Sequence, residues 1–491
     1  MTHHGSPPDG RGSPFLIGLQ NYAQRGIVRF HTPGHRGGRW LDPYFLEGIG
    51  RDTASLDISD LLEGERGPAD WSETIRLAED RAAKIFGAGA TRFLVNGTSG
   101  GIHASLLAVG MGKRAVYSRA SHLSVYGAAL LCGAESHYLA PTYDAEWDIP
   151  GPPSQEAIRE ALRSVCPDVA IDTYPNYYGL AHDLGVWGTP EKTGRPPILL
   201  TDEAHASHFI VCPEAPPPAL SCGAALTVQS FHKTLGSFTQ SSVLHVSKQF
   251  NHLIPLVDRS LFLLQTTSPS PILLASLEAA VSQLEPMASG ADDGWKRAVG
   301  LTKRLRSAIE QQTDCKCLNE EIARSVWGAA LDPARLVINV ARVGWTGIDA
   351  ARWLRTEKQI QVEMANQMAI VVLISPGNTE DDAERLVEAL AGMAAVRPPN
   401  VPAAVLPPPW PTLQMDPREA VARPVRWVAI KDAVGWVSSE IVCPYPPGVP
   451  VLAPGEKITT DIVEYLRHVH SLGWEVRGAS RWDAGEIGVV A

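Results

Sequence analysis

Five apolar runs, each ending in a short polar loop, follow one another between residues 92 and 246. They lie at 92–95, 115–118, 168–172, 198–201 and 224–228, and each is too short for a helix and apolar enough for a buried strand. Helical patterns alternate with them. Residues 72–86 place Ile75, Ala78, Ala82 and Ile85 on one face, and further helices are expected from about 101 to 109, from 122 to 132 and from 154 to 165. Strands alternating with helices predict a mostly parallel sheet covered on both faces. In such sheets ligands bind at the carboxyl ends of the strands, so the five loops are where function is to be sought.

Their composition supports this. Asn96-Gly97-Thr98-Ser99-Gly100-Gly101 joins a strand to a helix start, where free N–H groups and the helix dipole favour an anion. It lacks a P-loop lysine and the spacing of a dinucleotide fingerprint, which leaves a phosphate monoester as the better fit. Arg119-Ala120-Ser121-His122 opens the next helix, and Thr173-Tyr174-Pro175-Asn176 follows the third run. The fourth run ends in Asp202-Glu203-Ala204-His205 and the fifth in Ser230-Phe231-His232-Lys233-Thr234, a strand-end loop. A strand-end lysine and a strand-end carboxylate form the pair that pyridoxal phosphate chemistry requires: an amine for the Schiff base and an anion for the pyridinium nitrogen. Each residue alone also has a structural reading. Lys233 could be merely solvated, Asp202-Glu203 a helix cap, and His122 a helix-start residue without chemistry.

The remainder of the chain is organised around this region. Residues 1–14 are rich in Gly, Pro, Ser and His and read as a disordered lead-in. A long helical region over 271–310, broken near Gly290, precedes a smaller α/β stretch with strands near 335–340, 362 and 369–374 and helices over 347–356 and 379–393. A proline-rich linker at 397–411 leads to short strands and a closing helix over 460–472. The expected domains are a pyridoxal phosphate-binding domain over 15–310, a small α/β domain over 311–397 and a C-terminal domain over 398–491. A net charge of −10 without a basic stripe argues against nucleic acid. Neither a membrane span nor a signal peptide is visible. The seven cysteines are scattered, Cys315-x-Cys317 is weak evidence for a metal, and a reduced, cytoplasmic setting is expected.

Taken together, seven segments in order resemble the Orn/Lys/Arg decarboxylase family. They are Phe30-His-Thr-Pro-Gly-His-Arg-Gly-Gly38, Asn96-Gly-Thr-Ser99, Arg119-Ala-Ser-His122, Asp202-Glu-Ala-His205, Ser230-Phe-His-Lys-Thr234, Thr267-Ser-Pro-Ser270, and the stretch from Pro444 to Pro450 with Pro454-Gly455-Glu456. The resemblance implies the α/β, aspartate aminotransferase-like transferase fold (fold type I). It implies that Lys233 binds pyridoxal 5′-phosphate covalently, that Asp202 keeps the ring nitrogen protonated and that His122 stacks on the ring. By the same resemblance Thr98, Ser99, Ser230 and His232 hold the phosphate, with His205 beside the cofactor. The implied reaction is α-decarboxylation of a basic amino acid, arginine first, then lysine or ornithine. Transamination or a specialised biosynthetic conversion on the same scaffold is the alternative, and a non-catalytic regulator a third reading.

The chain further resembles a short form without the family's N-terminal wing domain, working as a homodimer or higher homo-oligomer on a small-molecule substrate. The 30–38 loop and the 266–268 segment are the expected contributions to a neighbouring site. Leu123, Ala206, Glu278 and Pro271 depart from common family residues, the last two near the region that shapes the substrate pocket in relatives. Glu440, Glu363 and Asp42 are candidate carboxylates for a cationic substrate end on chemistry alone.

Overall fold

The computed structural model describes residues 13–58, 71–188, 195–396, 406–445 and 448–491. The expected lead-in up to residue 12, the linker from 397 to 405, and Pro446 and Pro447 lie outside the described residues. The chain divides into two compact units.

The first unit is drawn from Met1–Val109, Ile198–Pro213 and Pro217–Trp295. Its strands are Ala88–Leu94, Ile198–Asp202, Leu226–Gln229 and Ser242–Ser247. Ser242–Ser247 runs antiparallel to both of its neighbours, pairing Leu94 with Ser242 on one side and Gln229 with Val243 on the other. Ile198–Asp202 runs parallel to Leu226–Gln229, with Asp202 opposite Val228. Ala88–Leu94, Leu226–Gln229 and Ile198–Asp202 therefore point the same way, and their carboxyl ends form one rim. The β-branched and aromatic character of these runs suits strands buried on both faces. Phe93, Phe231 and Val243 pack with Phe86, Leu277 and Val281 of the helices Trp71–Phe86 and Pro271–Ala288.

Pro14–Gln24 is also a helix, and Ser13 makes no side-chain cap. Its first N–H groups go instead to Glu278, whose carboxylate accepts from Phe15 at 3.0 Å and Leu16 at 3.2 Å. Buried and close to Arg81, Glu278 takes the place of a local N-cap from 263 residues away. The carboxylate at this departure from the family pattern is thus spent on holding the N-terminal helix.

The second unit is drawn from Gly110–Pro197, Glu214–Pro216 and Lys296–Ala491. Arg114–Ser118 runs parallel to both Glu135–Leu139 and Val169–Thr173, so the 119–122 and 174–176 segments leave from one edge. A separate antiparallel sheet joins Lys316–Cys317, Arg335–Asn339, Ala369–Leu373 and Met364–Ala365. Near the C-terminus, Val425–Ala429 pairs with Glu486–Val490 and Cys443–Tyr445 with Glu475–Arg477, around the helix Thr460–Ser471. The expected strand at Val362 lies two residues later, at Met364–Ala365.

One polar contact ties the ends of this unit together. Arg119, fully buried, forms a two-pronged pair with buried Glu456 at 2.5 and 2.6 Å and donates from Nε to the Pro450 carbonyl. Glu456 also accepts from the Ala453 N–H at 2.6 Å. The guanidinium lies over the Tyr138 and Trp410 rings, 4.7 and 5.3 Å from their centroids. Breaking such a pair leaves an uncompensated buried charge, which costs about 3–5 kcal/mol. Glu456→Ala should therefore lower the unfolding free energy, read from denaturant melts, by an amount in that range, whereas Arg481→Ala, whose ion pair with Glu486 is exposed, should change it by less than about 1 kcal/mol.

Candidate active site

The rim of the first unit collects most of the residues singled out from the sequence. Asp202 ends its strand, and its Oδ1 accepts the Ala204 N–H at 3.2 Å. Among the described residues its Oδ2 takes no hydrogen bond, although the side chain is buried. The neighbouring strand delivers Ser230 and then a single helical turn, Phe231–Thr234, where the sequence predicts a loop. The turn closes through Lys233 N–H to the Ser230 carbonyl and Leu235 N–H to the Phe231 carbonyl. Lys233 Nζ stands 3.1 Å from His205 Nε2.

The hydroxyls gather on the other side. Thr98 Oγ1, in the first turn of the helix Gly97–Gly110, lies 2.5 Å from Ser230 Oγ and 3.3 Å from Ser242 Oγ. Ser99, beside it, makes no side-chain hydrogen bond among the described residues. Thr234 and Ser237, in the turn and loop that follow Ser230, bury hydroxyl oxygens that take no hydrogen bond among the described residues. Buried hydroxyls without partners are uncommon and mark a place where another polar group belongs. His232 turns Nδ1 to the Ser241 carbonyl at 2.9 Å and so fixes the following loop. A phosphate near the helix start, an amine-reactive carbonyl near Lys233 and a cationic ring nitrogen near Asp202 would each meet a matching group.

His122 belongs to the second unit. It is the N-cap of the helix Leu123–Cys132, accepting the Ser124 N–H on Nδ1 at 3.2 Å, with Ser124 Oγ at 2.8 Å. It lines a small cavity with Asp172, Asn176, Tyr177 and Tyr445. The helix-start reading is thus correct as to position, and the cavity leaves room for a chemical role.

Other candidates are occupied elsewhere. Glu440 accepts from the Ser480 N–H and hydroxyl and from the Gly488 N–H, all within 2.8 Å. Asp42 caps the helix Pro43–Ile49, and Glu363 is exposed. In the 30–38 loop His31 shares a 2.7 Å hydrogen bond with Tyr22, and His35 a 3.1 Å one with Asp57, so this loop has partners within its own chain.

Sequence reasoning missed a polar chain behind the rim. Glu203 accepts from Ala219 N–H and from Gln229 Nε2, each at 2.7 Å; Gln229 Oε1 meets His245 at 3.3 Å; His245 meets Thr91 at 2.8 Å. All four are fully buried. Burial pushes the Glu203 carboxyl up to about 7 and the His245 imidazole down to about 3. The only sequence signal was their polarity within apolar runs.

Comparison with known proteins places the chain. Residues 13–382 match the model of the Orn/Lys/Arg decarboxylase major domain, and residues 391–479 that of the Orn/Lys/Arg decarboxylase C-terminal domain. The chain belongs to the Orn/Lys/Arg decarboxylase family. It is an enzyme of that family's kind, a pyridoxal phosphate-dependent decarboxylase. Similar proteins include the arginine decarboxylase of Bacillus subtilis, 34% identical over 95% of both chains. The constitutive lysine decarboxylase of Escherichia coli is 23% identical over 95% of this chain and 78% of its own. The crystal structure of the Francisella novicida lysine decarboxylase superposes with a TM-score of 0.79 at 20% identity, covering 98% of this chain and 81% of the other. The fold is that of the type I pyridoxal phosphate enzymes, as the family resemblance implies.

The raised Glu203 value has a measurable consequence. Because the folded value lies above the ordinary 4.5, the stability it contributes is complete below about pH 4.5 and is lost as pH rises towards 7. Glu203→Gln, which cannot ionise, should gain on the parent chain by roughly 1.4 kcal/mol per pH unit across that window and run parallel to it above. Thermal unfolding of both proteins from pH 4.5 to 8 reads this directly.

Proposed function

We propose that this decarboxylase acts on a basic amino acid, arginine first and lysine or ornithine after it, with its cofactor on Lys233. The observation that carries the assignment of the site is the unspent Oδ2 of buried Asp202 on the same rim as the Lys233 amine and the Thr98–Ser230 hydroxyl pair. The substrate order is supported by the 34% identity to a protein named arginine decarboxylase, against 23% to one named lysine decarboxylase.

Pyridoxal phosphate, when bound, supplies an electron sink for the pair left at the substrate Cα when CO₂ departs. Asp202 would hold the ring nitrogen protonated, since a carboxylate beside a cationic nitrogen favours the charged form. Thr98, Ser99 and Ser230 receive the phosphate at the start of the helix Gly97–Gly110, where N–H groups are free to donate, and His232 fixes the loop beside them. Lys233 is the residue that would hold the cofactor through its amine, and His205 Nε2, at 3.1 Å, is placed to hold a proton that Lys233 Nζ gives up or takes back. His122 is the residue to which the family resemblance gives the ring face. A panel of amino acids assayed for CO₂ release should show arginine turned over fastest. Lys233→Ala should fold, bind no cofactor covalently and release no CO₂. A keto acid in place of the amine product would sink the decarboxylation reading.

We also infer a homodimer, at work in a reduced, cytoplasmic setting. Phe30, Trp40, Tyr44 and Phe262 are each at least 80% exposed, an apolar display that a monomer has reason to cover. All seven cysteines are free thiols, and no described helix is long and apolar enough to cross a membrane. Sedimentation should find a dimer, and Phe30→Ser with Phe262→Ser should shift it towards monomer and cost activity together. A fully active monomer would overturn the inference.

A further inference from the structure

A second cavity, of about 320 Å³, lies wholly within the second unit. Its walls are aromatic and proline side chains: Tyr143, Trp410 and Tyr465, with Pro407, Pro408 and Pro409 from the end of the proline-rich stretch. Among these apolar walls stands one carboxylate, that of Asp148, a residue only 2% exposed. Oδ1 accepts from the Tyr143 hydroxyl, and Oδ2 from the Gln367 N–H at 3.1 Å. Two of the roughly four lone-pair sites of the carboxylate are thereby used. No lysine, arginine or histidine pairs with it among the described residues. Arg119, beyond the Trp410 ring, is already neutralised by Glu456.

A buried anion without a counter-ion is costly, and burial pushes this carboxyl up to about 6. Apolar substitution would be cheaper unless a cation comes and goes. Aromatic faces flanking a carboxylate are the recognition chemistry of organic cations: the rings attract the charge and cover the stem, while the carboxylate fixes the head group. We propose that this cavity binds an alkyl cation, an alkylguanidinium or alkylammonium ion, with its head group on Asp148 and its stem against Tyr143, Trp410 and Tyr465. None of its lining residues belongs to the Lys233 rim, though Pro150 and Val449 also line the cavity beside His122, and the proposal does not depend on which amino acid the enzyme decarboxylates.

The test is calorimetric titration of the full-length, cofactor-loaded protein with butylguanidinium, butylammonium and the neutral isostere butylurea. Both cations should bind at least tenfold more tightly than butylurea, and their ratio tells which head group the site prefers. Asp148→Asn keeps the volume and the capacity to bond Tyr143 and Gln367. It should melt no lower than the parent and lose the preference for charge. Tyr465→Leu should keep the preference but weaken both cations several-fold, and it decides the matter if the Asn variant does not fold. Equal binding of cation and urea by the parent, an Asp148→Asn variant that still prefers cations, or unchanged affinity in Tyr465→Leu would each overturn the proposal. So would displacement of the Asp148-dependent binding by the amino acid substrate in simple competition, which would place it in the active site.

Discussion

The buried hydrogen-bond chain Glu203–Gln229–His245–Thr91 holds the first unit to its register. It runs across four neighbouring strands, from the end of Ile198–Asp202 through Leu226–Gln229 and Ser242–Ser247 to Ala88–Leu94. In an apolar interior an unmet donor or acceptor costs about 1–3 kcal/mol. A shift of any strand by one residue would turn its member of the chain to the opposite face and leave such groups unmet. Register in turn decides where the strands end. Because Asp202 lies opposite Val228, the carboxylate and the Ser230–Lys233 turn emerge together; because Leu94 lies opposite Ser242, Thr98 comes within reach of Ser230. Polar residues that take no part in chemistry thus set the positions of those proposed to do so.

The second unit solves a similar problem with a single ion pair. The Arg119-to-His122 segment is a loop at the carboxyl end of a strand paired on both sides, and loops are seldom rigid by themselves. Arg119 is clamped by Glu456, by the Pro450 carbonyl and between two aromatic faces, while the Tyr126 hydroxyl donates to the Arg119 carbonyl at 2.8 Å. Three residues on, His122 caps its helix, so both ends of the segment are fixed.

What could be read from the sequence follows the range of the interactions. Strands such as Arg114–Ser118 and Ile198–Asp202, and helices such as Leu123–Cys132 and Glu380–Met393, are encoded in local apolar spacing and sit within a residue or two of expectation. Asp202, Lys233 and Thr98 could be found because strand ends are locally visible. Glu135–Leu139 was not singled out: its Glu, Ser and His positions are partly exposed and blur the strand pattern. The single turn Phe231–Thr234 is too short to show helical periodicity. Glu278 capping a helix 263 residues earlier, and Glu456 pairing with Arg119 across 337, leave no trace in local spacing at all.

The span of that last pair bears on how the protein is made. A chain emerging from the ribosome has its first domains available for folding long before its final residues exist. Until Glu456 has been synthesised, Arg119 has no anion to meet it, and an unpaired guanidinium is far better left in water than enclosed. The turn that presents His122 therefore lacks the anion that closes it during most of translation, although Tyr126 and Tyr138 are already there. A product truncated before Glu456 would carry the motif without the ion pair that buries Arg119.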